Sequence, residues 1–275
     1  MQSLCEVDKM QALAGKGNHL HIMDLLNTIG LFIGSLLSNT LASLSGGGAG
    51  LIQFPLLIFL GLPFAVALAT HKVASVALGL GAAIKHIRAG SLNWPLTVYV
   101  IVAGMLGVIL GANVILFVPG RAAEAMLGLL ILGLGIYSLT KKELGQYDQP
   151  RNRHWQGMVI GGLGLALIGI LNGSLTAGTG LFVTLFLIRW FGFDYKQAVA
   201  LTLVSVGLFW NGIGATTMYV AGANIFWPWI PVLLLGSFLG GYLGAHLASQ
   251  KSNSLIKRSF EILTFLIGFK LLTGF

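Results

Sequence analysis

The sequence predicts an all-α polytopic membrane protein made of two inverted repeats, and three observations support this fold class. Hydrophobic residues make up 56% of the 275 residues and charged residues only 9%, whereas an average soluble domain is about 25% charged. Apolar runs long enough to cross a bilayer core of about 30 Å recur along the chain. Motifs of the first half also return in the second half, as from Gly48 to Gly178, 130 residues apart.

The composition limits the classes of protein that the chain can belong to. Sixteen basic and eight acidic side chains cannot cover a soluble globule of this length, so a soluble enzyme, a secreted disulfide-rich domain and a disordered tail are excluded. The net charge of +8 is better explained by basic cytoplasmic loops than by nucleic-acid binding. The single cysteine, Cys5, excludes an internal disulfide and a thiolate metal cluster. Residues 1–23 are too polar for a signal peptide and are predicted to be a short polar leader.

Charges, prolines and glycine clusters divide the apolar sequence into two sets of five segments. The first repeat is predicted over 24–140 and the second over 155–275, with a polar linker at 141–154 between them. In each set the second segment is too short for a comfortable crossing, and a re-entrant helix and a tilted span are both left open. Four long helices and one short helix per half give eight to ten membrane segments. The predicted segments are 24–45, 50–62, 64–88, 94–118, 122–140, 155–175, 178–192, 196–221, 226–248 and 255–275.

Several sequence landmarks keep nearly constant register between the two halves, which indicates an internal duplication. Their offset drifts only from 130 to 133 residues, and each pair occupies the same position within its set of segments. If each half crosses the membrane an odd number of times, the repeats are inverted, as in many secondary transporters. The matching landmarks are GAGL at 48–51 with GTGL at 178–181, Trp94-Pro95 with Trp227-Pro228, and Gly111-Ala112 with Gly244-Ala245.

The distribution of basic residues predicts the orientation. With an odd number of crossings per half, eleven of the sixteen Lys and Arg residues fall on one side and four on the other, while Lys72 lies inside the membrane. The positive-inside rule places the eleven in the cytoplasm, with the linker, and both termini outside. The eleven are Lys85, Arg88, Lys141, Lys142, Arg151, Arg153, Arg189, Lys196, Lys251, Lys257 and Arg258.

Two glycine-rich breaks occupy equivalent places in the repeats: the first break is SLSGGGAG at 43–50 and the second is NGSLTAGTG at 172–180. Irregular backbone at membrane depth persists only where protein or water satisfies its polar groups. Each break precedes a short segment whose N-terminal amides and positive dipole end favour an anion. We expect the breaks to meet near the membrane midplane as an anion site; the alternative is helix packing through small residues. The candidate site residues here are Ser45, Gly46, Gly47, Gly48, Thr176, Gly178 and Thr179.

The triplet Thr70-His71-Lys72 in the third segment supplies the other candidates. Lys72 lies about 12 Å along the helix from Phe64, too deep to reach the interface easily. A buried ammonium without a carboxylate favours an anionic ligand; the alternative is a lysine that points into a wet vestibule or onto backbone carbonyls. His71 is either a proton shuttle or a packed histidine, and Asn211 either lines the cavity or pairs with a neighbour.

Motifs for hydrolysis or redox chemistry such as HExxH, GxSxG or a Walker loop are absent from the sequence. Three stretches instead carry a family resemblance: GGGAGLIQFP at 46–55, AVALATHKVASVALGLGAAIKHIRAGSLNW at 65–94 and AGTGLFVTLFLIRWFGFDYKQAVALT at 177–202. In these motifs, and over nearly all residues from about 24 to 275, the sequence resembles the sulfite exporter TauE/SafE family of membrane permeases. In one branch of that family a Thr-Asn-Lys triplet is common, and His71 replaces its middle residue here.

The resemblance implies a secondary transporter that exports sulfite or an organosulfonate such as sulfoacetate across the bacterial inner membrane. A passive anion channel and a transporter of another small organic solute are the alternatives. We expect no enzymatic activity, no cofactor, no metal and no nucleic-acid partner. The expected partners are a small anion and the lipid bilayer, and a homo-oligomer is left open. An inside-negative potential favours anion export by about 2.3 kcal/mol per charge per 100 mV, so no coupling ion is required.

Overall fold

The computed structural model describes residues 28–115, 120–176 and 178–273, and within them it contains ten helices and no β-strand. The fold is therefore all-α, as the sequence predicts. The predicted leader at 1–23 lies outside the described residues. The helices are α1 Thr28–Ser45, α2 Gln53–Phe59, α3 Phe64–Arg88, α4 Trp94–Val114, α5 Gly120–Thr140, α6 Trp155–Ser174, α7 Thr179–Phe191, α8 Tyr195–Val220, α9 Ile230–Gln250 and α10 Asn253–Thr273.

Each predicted segment corresponds to one helix, and local capping explains several of the boundaries. The side chain of Asn93 accepts a hydrogen bond from the Leu96 amide (3.3 Å), and Pro95 follows in the first turn of α4. The carboxylate of Asp194 accepts a hydrogen bond from the Gln197 amide (2.8 Å) at the start of α8. These residues satisfy backbone donors that the first helical turn leaves without partners.

Six helices of the described chain are long and apolar enough to cross a membrane. They are α1, α3, α4, α6, α8 and the helix that ends at Gln250, α9, which a short 3₁₀ turn at Trp227–Trp229 extends. Helices α5 and α10 have 21 residues each, and their assignment as spans stays a prediction. Helix α2 has seven residues, about 10 Å at 1.5 Å per residue, so it is too short to cross by itself.

The helices of the two halves pack in a reciprocal pattern. Helix α4 packs against α6, and α9, the fourth helix of the second half, packs against α1. The third helices, α3 and α8, contact each other, as do the fifth helices, α5 and α10. Helix α3 also packs on α9, and α8 packs on α4. Two similar repeats that face each other would produce this reciprocal packing. The inversion of the repeats relative to the membrane stays a prediction.

Small residues let these helices approach at backbone distance. A methyl group added at Gly107 of α4 would overlap the carbonyl oxygen of Ala166 in α6. On the other side of the bundle, a methyl group at Gly244 of α9 would overlap the carbonyl oxygen of Thr40 in α1. Such small-residue seams are typical of helix pairs in membranes. Close packing therefore explains the glycines of these long helices.

Two π-helical stretches were not expected from the sequence. Helix α7 ends in one at Leu187–Phe191, and α8 contains a longer one at Leu203–Trp210. Short π-bulges often occur at functional sites because they shift the register of the side chains. The stretch in α8 contributes Leu203, Val206 and Gly207 to the wall of the central cavity described next.

Candidate substrate-binding site

The first break forms because three consecutive glycines follow α1. Gly46, Gly47 and Gly48 have φ angles of 88°, 144° and 103°, a region that glycine enters far more easily than other residues. The amides of Gly46 and Gly47 both donate to the carbonyl of Ala42, at 2.9 and 2.8 Å. These bonds cap the C-terminus of α1 and turn the chain toward α2.

The second break holds its backbone with side-chain hydrogen bonds as well as with glycine. Thr176 has a positive φ of 57° and Gly178 one of 74°. The hydroxyl of Thr176 donates to the Asn172 carbonyl (3.0 Å), and the hydroxyl of Thr179 donates to the Thr176 carbonyl (2.8 Å). The amide of the Asn172 side chain donates to the Thr179 hydroxyl oxygen (2.8 Å). The polar backbone of this break is therefore satisfied largely by its own residues.

The two breaks cross each other at Gly47 and Gly180. A methyl group added to Gly47 would lie 2.6 Å from the Cα of Gly180, and one added to Gly180 would lie 2.8 Å from the Cα of Gly47. Nearby, the Thr184 hydroxyl of α7 donates to the carbonyl of Gly46 (2.7 Å). The expected meeting of the two breaks is thus present as a backbone-to-backbone contact, which no residue larger than glycine permits.

A central cavity of about 30 Å³ lies beside this crossing. A volume of this size has room for a water molecule or two, and it is far below the roughly 300–1,000 Å³ of pockets that hold drug-sized ligands. The walls come from both breaks, from α3 and from α8. Six of the eleven predicted site residues line it: Gly47, Gly48, His71, Thr176, Thr179 and Asn211.

Lys72 is completely buried, and its ammonium lies behind the cavity wall. The Nζ atom donates to the carbonyl of Asn172 at 2.7 Å. Asn172 belongs to the last turn of α6, where carbonyls lack intrahelical partners and the helix dipole is negative. This contact matches the alternative in which Lys72 binds backbone carbonyls. Within the described residues, no carboxylate lies within 4.0 Å of the ammonium.

His71 is held between two polar side chains. Its Nδ1 lies 2.7 Å from Oε1 of Gln53, and its Nε2 lies 3.1 Å from the hydroxyl of Ser75. The Gln53 amide nitrogen donates to the hydroxyls of Ser35 (2.7 Å) and Ser237 (3.0 Å), so Oε1 must accept from Nδ1–H. In a neutral imidazole Nε2 accepts from the Ser75 hydroxyl. These contacts match the alternative of a packed histidine, and proton transfer through it stays a hypothesis.

Four other predicted residues, beside Lys72, do not line the cavity. The hydroxyl of Thr70 accepts a hydrogen bond from the Phe226 amide (2.9 Å). The Ser45 hydroxyl donates to the carbonyls of Leu41 (2.9 Å) and Gly47 (3.2 Å). The Gly46 carbonyl accepts from Thr184, and Gly178 precedes the first turn of α7.

Sequence reasoning gave no role to several polar residues of the site. Gln53 was visible only as one polar residue in an otherwise apolar short segment, and Ser75 only as a serine one turn after His71. Thr202, the counterpart of Thr70-His71-Lys72 in the second half, lines the cavity, and its hydroxyl oxygen lies 3.0 Å from that of Thr184. Gln53 and Thr202 have their partners on other helices, so sequence spacing alone could not identify these two residues.

Two buried amide oxygens at the cavity have no hydrogen-bond partner within the described part of the chain. They are Oδ1 of Asn172 and Oδ1 of Asn211. Unpaired buried acceptors are unfavourable, by about 1–3 kcal/mol each, until a donor reaches them. Among the described residues no cluster of three or more His, Cys, Asp or Glu side chains that could hold a metal ion occurs.

Comparison with known proteins agrees with the helical architecture. The sequence profile of the sulfite exporter TauE/SafE family matches residues 31–271. A probable membrane transporter protein of Haemophilus influenzae is 29% identical over 241 residues, which cover 88% of this chain and 92% of that protein. The probable membrane transporter protein YfcA of Escherichia coli is 27% identical over 242 residues, 88% of each chain. YdhB of Bacillus subtilis, another probable membrane transporter, is 24% identical and covers 86% of this chain and 96% of its own. No solved structure matches the chain.

Proposed function

The chain belongs to the sulfite exporter TauE/SafE family and is a multi-pass membrane transporter, and from this premise we propose what it carries and how. The substrate is a small anion, sulfite or an organosulfonate such as sulfoacetate. It moves outward by alternating access through the central cavity. The chain sits in the bacterial inner membrane, with the linker in the cytoplasm and both termini outside.

The observation that carries this proposal is the small cavity at the crossing of the two helix breaks. Transporters commonly bind substrates where discontinuous helices of two repeats meet. The backbones of Gly47 and Gly180 are in contact at the crossing, and the cavity beside it has a volume of only about 30 Å³. So narrow a site supports alternating access over a passive channel, because an open channel needs a continuous polar path.

The preference for an anion rests on two sources of positive potential. The Lys72 ammonium has three protons and, among the residues that the structure describes, a single acceptor, the Asn172 carbonyl. Burying an ion without a counter-ion costs several kcal/mol, and an anion in the cavity would offset that cost. Thr179 and Gly180, in the first turn of α7, line the cavity, and no side chain among the described residues caps this turn. The positive end of the α7 dipole therefore faces the same space.

Substrate binding requires that some internal hydrogen bonds be exchanged for bonds to the anion. The hydroxyl of Thr179 donates to the Thr176 carbonyl of the second break and can rotate toward an oxyanion. Lys72 can move from the Asn172 carbonyl to the anion without leaving that carbonyl unpaired, because Thr176 also donates to it. Each exchange loosens the second break, which couples occupancy of the site to the conformation of α7.

The unpaired oxygens of Asn172 and Asn211 favour a second candidate, a small organic solute that also donates hydrogen bonds. A zwitterionic aminosulfonate fits this description, because its sulfonate matches the positive potential and its ammonium matches the two amide oxygens. Sulfite in its hydrogen-carrying form has a single donor, and sulfoacetate as a dianion has none. The two candidates therefore differ in the number of hydrogen-bond donors.

Transport by purified protein in liposomes tests the proposal. Liposomes loaded with labelled sulfite, sulfoacetate or taurine should lose label in a saturable way, and an excess of unlabelled substrate outside should accelerate the exchange. An inside-negative potassium diffusion potential should speed the exit of the anions. Saturation without acceleration by the unlabelled substrate would indicate a channel, and efflux of taurine alone would favour the second candidate. No efflux of any of the three labelled sulfur compounds would contradict the proposal.

A further inference from the structure

A second, larger cavity lies at the junction of the two halves, away from the central cavity. It has a volume of about 710 Å³ and lies between the linker at 141–154, the end of α5 and the end of α7. None of its lining residues lines the central cavity. We call it the linker pocket. Its volume lies within the range of about 300–1,000 Å³ typical of ligand sites.

The linker pocket is strongly basic. Four of its lining residues are cations, Lys141, Lys142, Arg151 and Arg189, against the single carboxylate of Glu143. Within the described chain none of the four lies within ion-pair distance of a carboxylate. Nothing in the pocket wall therefore compensates an excess of three positive charges.

Two of the cations are held in place by neutral partners. The Nε of Arg189 donates to the hydroxyl of Tyr137 (2.9 Å), and an Nη2 proton of Arg151 goes to Oε1 of Gln149 (2.5 Å). Neutral partners fix the two guanidinium groups without using their charge. Each retains further N–H donors in the planar geometry that suits phosphate and carboxylate groups.

Hydrogen bonds from α10 and α8 hold the backbone that carries Lys141 and Lys142. The buried ammonium of Lys257 in α10 donates to the carbonyls of Lys141 (2.8 Å) and Lys142 (3.3 Å). The Tyr195 amide donates to the Gly145 carbonyl (2.9 Å), which ties the middle of the linker to the start of α8. The exposed side chains of the two lysines thus extend from a backbone that is held in place, which lowers the entropic cost of binding an anion.

The position of the linker pocket in the fold indicates which kind of anion can reach it. The linker leads from α5 into α6, which is long and apolar enough to cross a membrane, so the linker lies at one end of that candidate span. Tyr137 and Tyr147 line the pocket, and Trp155 begins α6 with 80% of its surface exposed. Such aromatic residues mark the headgroup level of a membrane, and basic pockets at this level bind anionic headgroups.

We propose that the linker pocket binds the phosphate group of an anionic phospholipid headgroup. The proposal is independent of what the central cavity transports. A bound headgroup would join the linker to the ends of α5 and α7 and so stabilise the contact between the two halves of the chain.

Thermal unfolding of the full chain in detergent tests this site, with added cardiolipin, phosphatidylglycerol, phosphatidylcholine or inorganic phosphate. The main variant is Lys141→Gln with Lys142→Gln, which removes two charges but no side-chain hydrogen bond that the structure contains. Arg189→Gln is a second variant on the opposite wall. Lys251→Gln is the matched control, because Lys251 is exposed on the same predicted face but does not line the pocket.

We expect cardiolipin and phosphatidylglycerol to raise the unfolding temperature of the native chain and of the control variant at the same lipid concentration. Each surface cation contributes about fivefold to anionic-lipid affinity, so the double variant should need about 25-fold more lipid for half of the effect. Equal protection of the double variant, or equal protection by phosphatidylcholine, would overturn the proposal. Inorganic phosphate that protects as well as the lipids at equal phosphate concentration would overturn the lipid as the source.

Discussion

Replacing Lys72 with methionine removes a fully buried positive charge while keeping most of the side-chain volume. The change separates two roles of this residue, which caps the end of α6 in the structure and binds substrate in the proposed function. A cap acts on the stability of the empty protein. A ligand contact acts on the affinity for the anion.

The contacts of the Lys72 ammonium limit how much the substitution can change the free energy of unfolding. A hydrogen bond from a charged donor contributes about 1.5–3 kcal/mol, but burying the ion costs several kcal/mol that methionine does not incur. The Asn172 carbonyl is not orphaned, because the Thr176 hydroxyl still donates to it at 3.0 Å. We therefore expect the free energy of unfolding of the empty variant to lie within about 2 kcal/mol of wild type.

The effect on anion affinity should be larger. Losing one partner of a buried, hydrogen-bonded charge pair costs about 2–5 kcal/mol, which corresponds to a loss of affinity of about 30-fold or more. Isothermal titration of purified protein with the transported anion measures this directly. Lys85→Met is the matched control, the same change in the same helix at a residue that does not line the cavity. A Lys72→Met variant that binds the anion as tightly as the control would refute the role of Lys72 as a ligand.

Two further substitutions test the crossing and its support. Gly180→Ala should lower the unfolding temperature and abolish transport, because its methyl group would lie 2.8 Å from the Cα of Gly47 and such overpacking costs about 1–3 kcal/mol. The control Gly30→Ala, with no atom within 4 Å of the new methyl, should leave transport unchanged and leave stability unchanged or raise it by up to about 1 kcal/mol. Equal behaviour of the two variants in thermal unfolding and liposome efflux would contradict the crossing. Gln53→Leu should destabilise by about 1–3 kcal/mol, because it leaves the Nδ1–H of His71 without its partner at 2.7 Å; an unfolding temperature equal to wild type would show that this hydrogen bond contributes nothing.

The helices were predictable from sequence because the signal for a membrane helix, its hydrophobic length, is local in the chain. Hydrophobic length, proline and polar breaks placed α3 at 64–88, its bounds in the structure. The second segments were correctly expected to be short, since glycine runs and prolines limit them on both sides. The π-helical stretch Leu203–Trp210 was not predictable, because its sequence is as apolar as the α-helical turns around it.

The site was predictable in outline but not in its contacts. The repeated glycine runs indicated that two breaks would meet, and Gly47 and Gly180 do touch. The partner of Lys72 could not be foreseen, because a backbone carbonyl leaves no signal in the residue type at position 172. The network that holds His71 depends on Gln53 from another helix, which only the folded arrangement brings within 2.7 Å.

The central claim is that the crossing of the two breaks encloses an anion site, and ligand-induced stabilisation of the purified protein tests it most directly. The panel would contain sulfite, thiosulfate, sulfoacetate, taurine, sulfate, acetate and several small cations, each titrated against thermal unfolding. A ligand that binds only the native state stabilises it by about 2.7 kcal/mol at a hundred times its dissociation constant. The account predicts a saturable rise in unfolding temperature with at least one sulfur oxyanion. A rise with a cation or a neutral solute, and none with any anion, would contradict it.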